Sequence, residues 1–269
     1  MTFDANRPDL IVGVIGTGAM GRGIAQVAAV GGMQVLMTDN RPGAAEEARD
    51  FIEKMITRAA EKGSMTRDEA TGAVNRIRIV GGPADMKPCH AVVEVIVENL
   101  DAKQKLFADL EGIVAPDCIL ATNTSSLSVT TIASKLKTPQ RFAGFHFFNP
   151  VPLMKLVEVI EGLRTEPWVA DALMVIGRRM TREPVRLKDA PGFLVNQVGR
   201  GFTLEASHLV YEGIASFVDV DRVMRDVGGF RMGPFELMEL TGLDVTQPAS
   251  ELIYNQFFQE PRYRPNLIM

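Results

Sequence analysis

Leu10-Ile11-Val12-Gly13-Val14-Ile15 runs directly into Gly16-Thr17-Gly18-Ala19-Met20-Gly21, and a second apolar run, Met33-Gln34-Val35-Leu36-Met37, leads to Asp39. Apolar strand, Gly-x-Gly-x-x-Gly, helix, apolar strand, acid is the order of a βαβ unit that binds a dinucleotide. Gly16 permits the tight turn, Gly18 lets the backbone approach a pyrophosphate, and Gly21 lets the helix pack closely on the strand. The helix that opens at Ala19 and Met20 presents unpaired N–H groups and a positive dipole end to the phosphates. The turn thus supplies Gly16, Gly18, Ala19, Met20 and Gly21 as expected cofactor contacts. A glycine-rich turn can also be a plain connection; the flanking strands and the acid are what separate the two readings here.

Asp39 ends the second run, where a carboxylate accepts both hydroxyls of an adenosine ribose and repels a 2′-phosphate. NAD is therefore expected in preference to NADP. Arg41 is the opposing signal, because a nearby arginine is how such folds accommodate the 2′-phosphate.

A length of 269 residues allows two domains, and 46% hydrophobic with 23% charged residues is the balance of a globular chain. No apolar run approaches a membrane span, and Met1-Thr-Phe-Asp-Ala-Asn6 has neither the basic start nor the apolar centre of a signal peptide. A cytoplasmic protein with no membrane partner is expected. The net charge of −4 argues against a general nucleic-acid binder but leaves room for a local basic patch facing a polyanionic small molecule. Cys89 and Cys118 form no Cys-x-x-Cys, so reduced thiols in or near the core are expected, and no metal site.

After the first βαβ unit, 42–75 carries apolar residues at helical spacing (Ala48, Phe51, Ile52, Met55, Ile56) and reads as a helical pair with a turn near Gly63-Ser64. Thr66 followed by Asp68-Glu69 has the form of a helix start. Strand-like runs recur at Ile77–Val80, Ala91–Ile96, Cys118–Ala121, Arg141–Phe145, Lys155–Ile160 and Pro184–Leu187, with helical patterns between them at Asn99–Val114 and Glu166–Met180. This alternation predicts a mostly parallel sheet covered by helices. Beyond Asp189-Ala-Pro-Gly192 only helical periodicity remains, at Phe193–Tyr211, Val218–Val227 and Gly233–Thr241. The expected architecture is α/β: a Rossmann-type domain over 1–187, then an all-helical domain over 188–269.

Three segments hold polar groups in apolar surroundings. Ala121-Thr-Asn-Thr-Ser125-Ser126-Leu127 follows a strand at the sheet's carboxyl edge, where open α/β sheets bind ligands; capping of the next helix is the plainer reading. In Gly144-Phe-His146-Phe-Phe-Asn149-Pro150 a histidine sits among aromatics at a strand end, as a core histidine also could. In Lys155-Leu-Val-Glu158-Val-Ile160 an acid occupies the middle of an apolar strand and needs a partner, for which His146 is the obvious candidate. Beside a nicotinamide, such a pair can take the proton of an alcohol while hydride leaves its carbon, the carboxylate orienting the ring. The same two residues can equally form a structural ion pair.

These segments, with Val95-Ile-Val-Glu98-Asn-Leu100, Arg141–Pro152, Asp189-Ala-Pro-Gly-Phe-Leu-Val-Asn196 and Met232-Gly-Pro-Phe-Glu236, resemble the L-3-hydroxyacyl-CoA dehydrogenase family, and within it the bacterial 3-hydroxybutyryl-CoA dehydrogenases. The likeness runs in order over nearly the whole chain. It implies reversible, NAD-dependent oxidation of a 3-hydroxyacyl-CoA to the 3-ketoacyl-CoA. It also implies His146 as catalytic base, Glu158 as its partner, Ser125 as a hydrogen-bond donor to the substrate oxygen, and Asn196 reaching the same substrate from the second domain. Glu98, Lys103 and Asn149 resemble cofactor contacts, with a capping acid and a solvated lysine as the plainer readings of the first two.

Lys54, Arg58 and Lys62 are spaced four apart on one helix face; a solvated face is the default for such a row, but the resemblance implies a coenzyme A contact at Lys62. A homodimer through the helical domain is expected. By the same resemblance the helical domain continues beyond the region of Leu267, through a Gly-Arg-Lys-Thr-Gly-like segment to a Gly-Phe-Tyr-like end. A truncated helical domain, or the leading part of a longer polypeptide, is therefore expected. Two other functions fit parts of the pattern: a non-catalytic NAD-binding protein of the same fold, and a dehydrogenase of free 3-hydroxy acids.

Overall fold

The unbroken apolar run Ile11–Ile15 forms β1, the strand from which the sheet is laid out; the computed structural model describes residues 3–269. From there the chain makes α1 (Ala19–Val30), β2 (Gln34–Thr38), α2 (Ala44–Glu61), α3 (Arg67–Asn75) and β3 (Ile77–Ile79). It then crosses back to β4 (Ala91–Glu94) and continues through α4 (Leu100–Glu111), β5 (Ile119–Thr122), α5 (Val129–Ala133), β6 (Phe142–Phe147), β7 (Leu156–Glu161), α6 (Pro167–Arg179) and β8 (Glu183–Lys188). The sheet order is β3-β2-β1-β4-β5-β6-β7-β8, parallel throughout except for the antiparallel pair β6–β7. Strand order therefore reverses between β1 and β4, and ligands of open α/β sheets bind at the carboxyl ends beside such a reversal.

The central strands are buried on both faces, every residue of β4, β5 and β6 included, which is why they read as continuous apolar runs without alternation. Helix α2 buries Ala48, Ile52 and Ile56 and leaves Lys54 and Arg58 in solvent. The start of α3 is a capping box: the Thr66 hydroxyl accepts from the Glu69 N–H, and the Glu69 carboxylate accepts from the Thr66 N–H. Cys89 and Cys118 are free, buried thiols; burial pushes the first up to about 12 and raises the second as well.

The chain divides into two compact units, one up to Asp189 and a second over Ala190–Met269. The second consists of α7 (Val195–Tyr211), α8 (Phe217–Asp226), α9 (Pro234–Thr241) and α10 (Leu243–Gln256). Helical periodicity in the sequence marks the first three and not α10, because Pro248 inside it removes a backbone donor and crowds the preceding turn. The Met232–Glu236 motif builds a helix start: Asp221 accepts from the Phe235 and Glu236 N–H groups, while Glu236 accepts from the Gly233 N–H and pairs with Arg225. Among the described residues no helix is long and apolar enough to cross a membrane.

Candidate active site

The glycine turn is shaped by close packing on one side and openness on the other. Gly16 adopts φ of +97°, and a Cβ there would lie 2.4 Å from the Val95 carbonyl oxygen; one at Gly21 would lie 1.8 Å from that of Gly16. A Cβ at Gly18 would meet nothing within 4 Å. The turn thus presents bare backbone at its exposed apex, next to the N-terminus of α1, and this fits a pyrophosphate. Ala19 is exposed there and Met20 half-buried.

Asp39, just past β2, ties the turn down. One of its oxygens accepts from the Thr17 N–H (2.6 Å) and hydroxyl (3.0 Å), and the other from the Arg41 N–H (2.9 Å). Burial by itself would raise this carboxyl, but those bonds outweigh it and hold the group below the usual carboxylate range. The Arg41 guanidinium points elsewhere, to Glu47 at 2.7 Å.

His146 and Glu158 are register partners of the antiparallel pair β6–β7. Directly opposite residues project to the same face with Cβ atoms about 5 Å apart, within reach of an imidazole and a carboxylate. His146 Nδ1 lies 2.7 Å from Glu158 Oε2, with His146 5% exposed and Glu158 fully buried. Phe148 packs on the imidazole with ring centroids 4.6 Å apart. A carboxylate on Nδ1 fixes the tautomer with its proton there, so that the lone pair falls on Nε2.

Between β5 and α5, the Thr124–Ser126 loop closes around Glu98. Glu98 Oε1 accepts from the Thr124 hydroxyl (2.6 Å), the Ser125 N–H (3.0 Å), the Ser126 N–H (3.1 Å) and the Ser126 hydroxyl (2.9 Å). Burial opposes ionisation of this carboxyl, yet the Thr124 bond, the Lys103 charge and the serine donors together lower it below the usual range. Lys103 is buried, with its ammonium 2.6 Å from Glu94 and 3.4 Å from Glu98. Glu94 is a further buried acid, and its place inside the apolar run Ala91–Ile96 is the same signal that marks Glu158 in the sequence. Asn123, from the same polar segment as Ser125, accepts from the Phe147 N–H through its side-chain oxygen at 2.8 Å and joins this loop to the end of β6.

The remaining candidates are placed separately. Asn149 is exposed just beyond β6, Lys62 is exposed at the C-terminus of α2, and Asn196 is half-buried in the first turn of α7 in the second unit. Asp189, from the shared Asp-Ala-Pro-Gly segment, accepts from the Ser128 hydroxyl and the Thr130 N–H, each at 2.7 Å, and so caps α5.

A strand-order reversal with a glycine turn and an acid just past β2 defines a dinucleotide-binding fold, and a His–carboxylate pair in the same sheet suits proton transfer. Comparison with known proteins gives the family. Residues 11–190 match the family model "3-hydroxyacyl-CoA dehydrogenase, NAD binding domain" and residues 192–269 match "3-hydroxyacyl-CoA dehydrogenase, C-terminal domain". The chain is 41% identical over 252 residues to a protein of Bacillus subtilis named probable 3-hydroxybutyryl-CoA dehydrogenase, covering 94% of this chain and 88% of that one.

It is 40% identical over 257 residues to the 3-hydroxyadipyl-CoA dehydrogenase of Escherichia coli, covering 96% of this chain but only 54% of that protein, so it spans about half the length of this relative. A crystal structure described as 3-hydroxybutyryl-CoA dehydrogenase from Escherichia coli superposes with a TM-score of 0.94 at 40% identity, covering 97% of this chain and 55% of that one. The chain belongs to the 3-hydroxyacyl-CoA dehydrogenase family of NAD-dependent oxidoreductases, and carries that family's NAD-binding domain.

Proposed function

We propose that this chain oxidises a 3-hydroxyacyl-CoA reversibly to the 3-ketoacyl-CoA with NAD. The observation that carries the reading is the 2.7 Å His146–Glu158 contact, set in the sheet that bears the glycine turn. NAD, when bound, supplies the acceptor for the hydride leaving C3 of the substrate. His146 takes the hydroxyl proton on Nε2, and Glu158 holds the Nδ1 proton and stabilises the resulting imidazolium. Ser125 and Asn196 donate hydrogen bonds to the substrate oxygen and steady its charge as the carbonyl forms. In the reverse direction the protonated imidazole returns its proton as the hydride arrives.

The contacts assigned to NAD are Gly16, Gly18, Ala19, Met20 and Gly21 at the pyrophosphate, Asp39 at the adenosine ribose, and Glu98, Lys103 and Asn149 toward the nicotinamide side. Preference over NADP is supported by the ionised Asp39 and by the engagement of Arg41 with Glu47. Lys62 is assigned to the phosphates of coenzyme A, with exposed Lys54 and Arg58 continuing the same basic row. A homodimer through the helical unit is supported by its exposed apolar side chains, among them Val198, Ile214, Val218, Val227, Leu240 and Phe258.

The test is NADH oxidation with acetoacetyl-CoA, set beside free acetoacetate and beside NADPH. Turnover of the thioester with NADH is expected, and sedimentation should give twice the chain mass. Turnover of the free acid alone would replace the substrate, and NADH binding without any turnover would leave a binding protein.

A further inference from the structure

Glu94 is the last residue of β4 and fully buried, and both of its carboxylate oxygens accept hydrogen bonds. Its Oε1 accepts from the Lys103 ammonium (2.6 Å) and the Ile96 N–H (2.7 Å), and its Oε2 from the Thr122 hydroxyl (2.7 Å). Thr122 Oγ in turn accepts from the Thr124 N–H at 3.3 Å. Lys103 Nζ, on α4, also approaches Glu98 Oε2 at 3.4 Å. That contact engages one oxygen of Glu98 and leaves the other to gather its four donors from Thr124, Ser125 and Ser126. Two routes of polar contacts therefore run from Glu94 to the Ser125 loop, one through Thr122 and one through Lys103 and Glu98.

A buried ion pair is not needed to fill this space, since apolar side chains of similar volume usually serve stability as well or better. What it provides is a fixed positive charge beneath a carboxylate that is itself partly in solvent. We infer that Glu94 and Lys103 are positioning residues of the reaction: together they hold Glu98, and Glu98 holds the backbone that presents the Ser125 hydroxyl to substrate. Lys103 acts on the loop through Glu98, because its ammonium lies between the two carboxylates. The inference rests on the function proposed above in so far as Ser125 meets the substrate; the geometry of the loop does not depend on it.

The decisive variant is Glu94→Gln with Lys103→Met, which removes both buried charges and keeps their volume. It is expected to melt within about 3 °C of the parent chain. Amide hydrogen exchange at Ser125 and Ser126, read without substrate or cofactor, should become at least about 10-fold faster. With acetoacetyl-CoA and NADH, kcat should fall about 30-fold, and adding Ser125→Ala should cost far less than it does in the parent, because the hydroxyl is already displaced. Lys105→Met, which breaks an exposed pair on the same helix, should change none of these.

Unchanged exchange at Ser125 and Ser126, or kcat within about three-fold of the parent, overturns the inference. If the double variant does not fold, Glu94→Gln alone is read by the same exchange measurement and the same limits apply. Should the parent chain turn over no acyl-CoA, the proposed function falls, while exchange still decides whether the buried pair holds the loop.

Discussion

Two carboxylates are sunk completely in the same sheet, Glu94 at the end of β4 and Glu158 inside β7, and their partners differ in kind. Glu94 meets an ammonium, reached from the helix that follows its strand, and spends its remaining acceptor capacity on backbone and hydroxyl donors. Glu158 meets an imidazole across a strand pair. An ammonium offers donors alone, whereas an imidazole presents one donor and one acceptor nitrogen. The first arrangement suits holding a loop in place; the second also suits proton transfer.

Removing the imidazole should break that contrast most completely. His146→Gln leaves a polar group opposite Glu158 but nothing that can accept the substrate proton, so kcat should drop by about 10³-fold. NADH affinity should stay within about two-fold, because the pair lies outside the contacts assigned to the cofactor. Stopped-flow turnover and fluorescence titration of NADH measure the two separately, and retention of most activity would remove His146 from the proton path. Glu158→Gln should have a smaller effect, about 10²-fold in kcat with the KM for acetoacetyl-CoA moved less than about three-fold, since the base survives but loses its orienting charge. A change confined to KM would make Glu158 a binding residue and erase its difference from Glu94.

The contrast was only half visible in the amino-acid sequence. Glu158 stands out as an acid in Lys155–Ile160, and its partner is found because β6 and β7 adjoin in sequence and pair directly. Glu94 stands out in the same way within Ala91–Ile96, but Lys103 lies across a loop, inside an amphipathic helix where a lysine reads as solvated. Only the fold turns that lysine inward. The doubly wound sheet was legible because alternation of apolar runs and helical patterns survives without contacts, and the Gly16–Gly21 turn fixes where it starts. Less legible were the roles of shared motifs: Met232–Glu236 and Asp189 look as distinctive as the His146 segment, yet they cap α9 and α5. Helix capping and catalysis draw on the same residue types, so a motif alone does not separate them.

A third carboxylate, Glu161, sharpens the comparison from the far end of β7. An odd separation of three residues from Glu158 puts it on the opposite face of the sheet. There it meets Arg186 at 2.5 Å and Lys188 at 2.7 Å, both from β8. The Arg186 hydrogen bond holds its carboxyl below the usual range against the opposing effect of burial, with Lys188 adding to the shift. Because the folded value lies below the unfolded one, the unfolded chain binds more protons as pH falls. The stabilisation is then complete above the unfolded value near about 4.3 and is lost as pH drops through the folded value.

Lys188 is 82% exposed, so solvent screens much of its part, and about 1 kcal/mol is the scale for the whole cluster. Glu161→Gln should therefore lower the melting temperature by about 2–4 °C at pH 7 and hardly at all at pH 3. Calorimetry at the two pH values checks this, and kcat should remain within about two-fold because neither cation nor carboxylate faces the histidine. An equal loss of melting temperature at both pH values would show that Glu161 contributes through packing rather than charge. A loss of kcat comparable to that of Glu158→Gln would show instead that the two faces of β7 are not independent, and that Glu161 helps to position the His146–Glu158 pair.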